Sequence, residues 1–273
     1  MDIVKKIMSK TAYQEFGGIV LSIRKHKEQD ALIKVFTLEY GQRMFFVRNY
    51  YKANHAMKTA LLPFSHATYI GTIKSDGLCF LQDYKEVENF SVIQQDVYLN
   101  AYSTYFANLA DAAIEDGEVN KELFDLLLVS YQQLQNGLDP EIIMNIFEMN
   151  MLRYFGVFPK LGRCAVCGNE QEPFDYSVRY SGVLCTKHFH EDPKRLQIHP
   201  AAIHFCRIFQ VIQPTQVNQI SLKSDTKEAI RQLIDFFYDE FVGIRLKSKA
   251  YIDQMYEWEQ SMQVVKRKRE EEE

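Results

Sequence analysis

Cys164-Ala165-Val166-Cys167 and Cys185-Thr186-Lys187-His188 are two pairs of soft or borderline metal ligands, separated by seventeen residues. A Cys-x-x-Cys knuckle lets two thiolates converge on one ion, and a second pair at this distance completes a tetrahedron across the end of a hairpin. Gly168 after the first pair and Ser181-Gly182 before the second supply the tight-turn backbone that knuckles require. With four protein ligands no position is left open to activate water, so the chemistry expected is structural zinc binding rather than metal catalysis. His190 stands two residues beyond His188 and is the alternative fourth ligand. Plainer readings of these residues are the unligated thiols of a reduced protein or a redox pair, and the spacing favours zinc. Disulfides fit poorly, because the cysteines number five in a long chain. Cys79 and Cys206 lie in apolar contexts, where a small buried hydrophobe is expected.

The elements that must hold this site differ from those at the front of the chain. Residues 1–80 contain nine Lys and three Arg against three Asp and three Glu, a surplus of six positive charges in a protein whose net charge is -4. A basic front and an acidic back suggest modules with different partners. From Gly18 the front reads as short alternating apolar runs at 18–23, 33–37 and 43–47, divided by turn residues such as Glu39-Tyr40-Gly41. A helix-like interval is expected over 54–61, Pro63 breaks it, and two further runs follow at 67–73 and 78–81. Three strands, a helix and two strands suit a five-stranded OB-type barrel over residues 1–85, with 1–16 as a possible extension. Residues 86–273 are expected to form a helical domain with helices over 92–114, 119–134, 139–156, 201–212, 226–242 and 244–258, and with the zinc ribbon, residues 160–192, as an insertion. Asp139-Pro140 is a helix start and Gly156 a stop. The fold class is therefore α+β.

In order along the chain, Gly18-Ile19-Val20-Leu21, Glu28-x-Asp30, Lys34-Val35-Phe36-Thr37-x-x-x-Gly41, Leu62-Pro63-Phe64, Phe147-Glu148 and Leu152-x-Tyr154-x-Gly156-x-x-Pro159-x-Leu161-x-x-Cys164-x-x-Cys167-Gly168 resemble the RecO family of bacterial recombination and repair proteins. The sequence departs from the family pattern at Arg48-Asn49, where a glycine is usual, and at His188, where the last ligand is commonly cysteine. Asn tolerates the left-handed backbone, so the turn can survive. The resemblance implies an OB-fold domain, a helical domain bearing the ribbon, and no catalytic centre. It also implies binding of single- and double-stranded DNA, annealing of complementary strands, and help in loading recombinase onto strands covered by single-strand-binding protein. The partners it implies are RecR and the C-terminal tail of single-strand-binding protein, in the cytoplasm and associated with the nucleoid.

The candidate DNA contacts are Arg24, Lys25, Lys27, Lys34, Arg43, Arg48, Lys52 and Lys58, whose charges would neutralise phosphates without reading sequence. Phe45, Phe46, Tyr50 and Tyr51 are interleaved and could stack bases, although Phe45 and Phe46 point to opposite faces of a strand, so at least one belongs to the core. Lys160, Arg163, Arg179 and Lys187 add a second set of positive charges around the ribbon that could meet DNA or a partner's acidic tail but reads more simply as solvated charge, and Lys266-Arg267-Lys268-Arg269 before the closing glutamates reads as a self-compensating tail. Phosphate-loop, dinucleotide, nucleophile-elbow and HExxH motifs are absent from the sequence. The carboxylates Glu28 and Asp30, or Asp111, Glu115 and Asp116, read more simply as charged faces than as a nuclease site. No apolar run approaches a membrane span, and the first six residues lack a signal peptide's continuous apolar stretch. A competing reading from another class is a zinc-ribbon adaptor that bridges proteins without annealing DNA itself.

Overall fold

A computed structural model describes residues 13–216 and 220–258. The basic run at 266–269 and most of the possible N-terminal extension lie outside the described residues. By its internal contacts the chain divides into two compact units, one ending at Gln135 and the other starting at Asn136.

In the first unit, β1 (Gln14–His26), β2 (Asp30–Thr37), β3 (Gly41–Val47), β4 (His66–Thr72) and β5 (Cys79–Glu88) close into a barrel in the order β1-β2-β3-β5-β4. This is the OB-type barrel expected from the alternating runs. β1 is long because it serves both neighbours: it pairs with β4 from Gln14 to Ile19 and with β2 from Gly18 to His26, with a bulge at Val20/Ser22 inside the β2 pairing. Residues 14–16 are thus part of the barrel, with Phe16 facing inward beside Phe45 at 5.7 Å. Phe16, Val20, Ile33, Val35, Phe45, Val47 and Tyr69 fill the interior. Their period of two agrees with strands that alternate between core and surface.

The 54–61 interval is mostly turns, with a single 3-10 turn at Thr59–Leu61 instead of a longer helix. Tertiary bonds explain the shortening. The Tyr69 hydroxyl donates to the Ala60 carbonyl at 2.6 Å and the Tyr50 hydroxyl to the Leu61 carbonyl at 3.0 Å, so Met57, Ala60 and Leu61 plug the barrel rather than continue as a solvated helix. Asn49 adopts φ +57°, the left-handed turn that its side chain tolerates in place of glycine.

Among the described residues three helices follow the barrel in this unit: α1 (Ser91–Gln95), α2 (Val97–Ala113) and α3 (Lys121–Gln135). Asp96 separates α1 from α2, where one helix is expected over 92–114, because its carboxylate caps the Tyr98 and Leu99 amides. The helices bury part of the barrel's outer surface. Phe36 meets Phe124 edge-on at 5.5 Å, and buried Gln42 donates to the Ala110 carbonyl at 3.0 Å. Gly41, at φ +66°, allows the loop between α2 and α3 to approach; a Cβ there would lie 2.2 Å from the Glu118 carbonyl oxygen.

The second unit contains α4 (Pro140–Met151), β6 (Phe174–Ser177), β7 (Gly182–Cys185), α5 (Pro200–Phe209), α6 (Ser224–Phe237) and a last helix, α7, over 247–258. Asp139 caps α4, with Pro140 at its first turn and Gly156 at φ +73° ending the 3-10 turn that follows, as the sequence signals predict. Buried Asn150 donates to the Phe209 and Ile212 carbonyls and so satisfies the end of α5. α6 closes with a π turn over Tyr238–Val242, and the Tyr238 hydroxyl donates to the Glu148 carbonyl at 3.0 Å.

Gly41→Ala is expected to destabilise the first unit by about 3–5 kcal/mol, since it combines left-handed strain with a clash against backbone. Gly77 has φ +81° but faces open space, so Gly77→Ala should cost only about 1–2 kcal/mol. Urea unfolding of the two variants, followed by circular dichroism, checks the difference.

Candidate metal centre and nucleic-acid interface

The ribbon holds its ligands on two short pieces of backbone. The first knuckle turns at Gly168, φ +72°, with the Gly168 amide donating to the Cys164 carbonyl at 2.9 Å. The second runs from the end of β7 into the 3-10 turn Thr186–Glu191, which carries His188. Cys164, Cys167, Cys185 and His188 bring their donor atoms within 4.8 Å of one another. Cys167 Sγ lies 3.8 Å from Cys185 Sγ, and His188 Nδ1 lies 3.7 Å from Cys164 Sγ and 3.3 Å from Cys185 Sγ. A tetrahedral ion with ligand bonds of about 2.0–2.3 Å has ligand–ligand edges of about 3.3–3.8 Å, and these three separations fall in that range, so the donor set could hold a four-coordinate metal. His190 is exposed, beside Glu191, and is not part of the cluster.

Two of the ligand thiols are pushed in opposite directions. Burial pushes the Cys164 thiol up, but amide hydrogen bonds from Cys167, Cys185 and Val166 outweigh it and hold this thiol at about 6. Burial and the neighbouring Cys164 charge push Cys185 up instead. One thiolate is therefore stabilised by backbone and a second is opposed; a bound dication would favour both thiolates.

The base of the ribbon is held by packing and by a buried ion pair. Every residue of β6 and β7 is buried, and Tyr176 packs edge-on against Phe237 of α6 at 5.0 Å. Asp175 is almost fully buried; it bonds Arg195 at 2.8 Å and accepts from the Gln197 and Ile198 amides. The hairpin is thus anchored in the helical body at one end, with the ligand cluster at the other.

The barrel sorts its cations by environment. The Tyr51 amide donates to the Gln29 carbonyl at 3.0 Å and the Asn49 amide to Asp30 at 2.8 Å, which joins the β1–β2 turn to the segment after β3. Lys25 stands 6.0 Å from the Tyr51 ring, and Lys58 stands 3.9 and 5.4 Å from the Tyr50 and Tyr51 rings. Arg24, Lys25, Lys27, Arg48 and Lys52 are exposed, and none of them forms an ion pair among the described residues. Lys58 is half-buried over its tyrosines.

Comparison with known proteins gives this arrangement its relatives. Residues 8–90 match the family model described as "Recombination protein O N terminal", and residues 94–250 match "Recombination protein O C terminal". The chain is 47% identical over 260 residues to the DNA repair protein RecO of Enterococcus faecalis, covering 95% of this chain and 99% of that one. The chain belongs to the RecO family. Similar matches include the RecO proteins of Latilactobacillus sakei, 37% identical over 95% of this chain and 96% of that one, and of Lactococcus lactis subsp. cremoris strain SK11, 41% identical over 89% and 96%.

Against this RecO background, two of the eight cations read from the sequence stand apart from the rest. Lys34 bonds Asp111 and Asp116 of the helical layer, with its side chain only 12% exposed. Burial alone would lower its pKa, but the two carboxylates outweigh burial and raise it, so this charge is already neutralised. Asp111 and Asp116 accordingly serve as the anchor of a lysine. Arg43 shares the inward parity of Phe45; its guanidinium lies against Gly117, and its Nε is sealed from solvent without a hydrogen-bond partner among the described residues.

Among the aromatics, Phe45 is core, Tyr50 is buried by its bond to Leu61, and Tyr51 is 40% exposed. Phe46 lies half-buried on the outer face. The sequence reading did not single out Phe80, 41% exposed, or Lys74, whose Nζ stands 4.8 Å from the Phe80 ring. Strand alternation beside buried Cys79 was the available signal. Around the ribbon, Lys160, Arg163 and Tyr180 line a cavity of about 740 Å³, while Arg179 donates to the Glu191 carbonyl. No helix among the described residues is long and apolar enough to cross a membrane.

Replacing Cys164 with Ser is expected to abolish metal retention and loosen the 164–188 tip, while the barrel keeps its unfolding midpoint. Elemental analysis after gel filtration, with hydrogen exchange resolved by segment, measures both effects.

Proposed function

We propose that this chain acts in recombinational DNA repair as a non-catalytic mediator. In this reading the barrel, residues 1–85, binds single- and double-stranded DNA and anneals complementary strands, and the protein assists recombinase loading on strands coated with single-strand-binding protein. RecR and the C-terminal tail of single-strand-binding protein are the protein partners, and the work is done at the nucleoid. The observation that carries the reading is the group of unpaired, exposed cations, Arg24, Lys25, Lys27, Arg48 and Lys52, at one end of a closed barrel, with Lys58 and Tyr51 among them. Such a surface neutralises phosphates and releases counterions, which holds either kind of DNA without sequence preference. Annealing needs contacts that relieve repulsion between strands and leave base edges free, which a diffuse cationic surface supplies. Lys34 and Arg43 are assigned to holding the helical layer, not to DNA.

The metal in this reading is zinc. Three thiolates and an imidazole in tetrahedral reach suit it, and with all four positions supplied by protein its part is structural. The residues themselves carry that part: Cys164 and Cys167 fix one turn, Cys185 and His188 the other. Elemental analysis of reduced protein is expected to find one zinc per chain; a metal-free, fully folded ribbon would contradict the assignment.

A salt titration tests the DNA reading against the adaptor reading. Affinity for a single strand should fall steeply with salt, and the triple variant Arg24→Ala/Lys25→Ala/Arg48→Ala should reduce the log–log slope by about 2. Lys34→Ala should lower thermal stability and leave the slope unchanged. Weak binding that ignores salt would favour the adaptor.

A further inference from the structure

Across the outer face of the barrel, register places four side chains side by side. Arg24 on β1 pairs with Leu32 on β2, Leu32 with Phe46 on β3, and Phe46 with Phe80 on β5. Paired residues on neighbouring strands share a face, so these side chains form one row about 4.8 Å apart from strand to strand. Further along the same face of β2 the helical layer takes over, burying Phe36 completely and Lys34 nearly so. At Leu32 and Phe46 the cover becomes partial, and at Phe80 41% of the residue is exposed.

The rings are in contact. His26 meets Phe46 edge-on at 5.9 Å, and Phe46 meets Phe80 at 6.3 Å and 73°. Cations stand at both ends: Arg24 at one and, over Phe80, Lys74 at the other, with neither in an ion pair among the described residues. A single exposed phenylalanine needs no explanation, but a contiguous row of rings between unpaired cations is a surface built for a ligand that is both flat and anionic.

Duplex DNA does not meet that description, because its base faces are stacked on one another and only phosphates and groove edges are offered. The apolar face of a partner helix would need a wider apolar patch than a row one residue deep with charge at each end. An unpaired strand offers base faces to the rings and phosphates to the cations. We propose that Phe46 and Phe80, flanked by Arg24 and Lys74, form a stacking site for unpaired nucleobases, which adds a single-strand-specific contact to the barrel's hold on phosphates. The proposal rests on the DNA-binding reading above and deepens it. It also gives annealing a direction: when two strands pair, their bases leave the rings, and the product keeps only the phosphate contacts.

The test uses the full chain, a fluorescent oligothymidylate and a duplex of equal length. Phe46→Ala/Phe80→Ala should weaken single-strand binding by roughly ten- to a hundredfold, leave duplex binding within about twofold, and leave the salt slope unchanged, because stacking releases no counterions. Phe80→Leu keeps an apolar side chain at an exposed position and removes the ring, so it carries the test if Phe46→Ala lowers the thermal midpoint. A strand containing 2-aminopurine should lose emission on binding the natural protein and keep it on binding Phe80→Leu. Equal losses on single strand and duplex, unchanged single-strand affinity in both variants, or quenching that persists without the ring would overturn the stacking site. Failure of the natural protein to bind either DNA would instead remove the reading on which it rests.

Discussion

A closed barrel has no free strand edge, so whatever the first unit binds must be met by its outer face or its loops. β1 imposes this condition by pairing with β4 from Gln14 to Ile19 and with β2 from Gly18 to His26, so that Gly18 and Ile19 have a partner on either side. The outward positions of each strand are then fixed by alternation, and the helices α1 to α3 claim a part of them. Phe36, Gln42 and Lys34 pack beneath the helices, whereas Arg24, Arg48 and Phe80 face solvent. Division of one cylindrical surface between a packed and an open part is what allows a basic, partly aromatic face to exist on a stable fold.

The same logic explains why the metal cluster sits where apolar packing runs out. β6 and β7 are buried against α6, and the Asp175–Arg195 pair ties the following segment back to them. The knuckles beyond hold little apolar surface, with Val166 and Cys167 exposed, and cannot be ordered by burial alone. Four convergent ligands could order such a tip by coordination instead.

Charges that look equivalent along the chain acquire different tasks. Lys34 and Arg48 are both basic residues on barrel strands or at their ends, yet one is held by Asp111 and Asp116 and the other is open to solvent. Asp111 and Asp116, two of the carboxylates that could be imagined at a catalytic site, are in the folded unit the counter-charges of a lysine. Two cations of the second unit are similarly matched: Lys227 bonds Asp139 and Glu141, and Lys249 bonds Asp235 and Asp253.

The amino-acid sequence by itself determined what depends on short spacing. The Cys-x-x-Cys and Cys-x-x-His knuckles, the alternating runs of the barrel, the Asp139-Pro140 start and Gly156 stop, and the left-handed turn at Asn49 all involve groups within a few residues of one another, where stereochemistry acts directly. Only tertiary structure decided which surface remained. Matches to the family models divide the chain between residues 90 and 94, yet compactness assigns the helices up to Gln135 to the barrel's unit. The partners of Lys34, the enclosure of Arg43 by Gly117, and the short 3-10 plug over Thr59–Leu61 each follow from contacts made across a fold, not along a segment. Exposure is set by what arrives from elsewhere in the chain, so a lysine's type announces its charge and leaves its counter-ion undetermined.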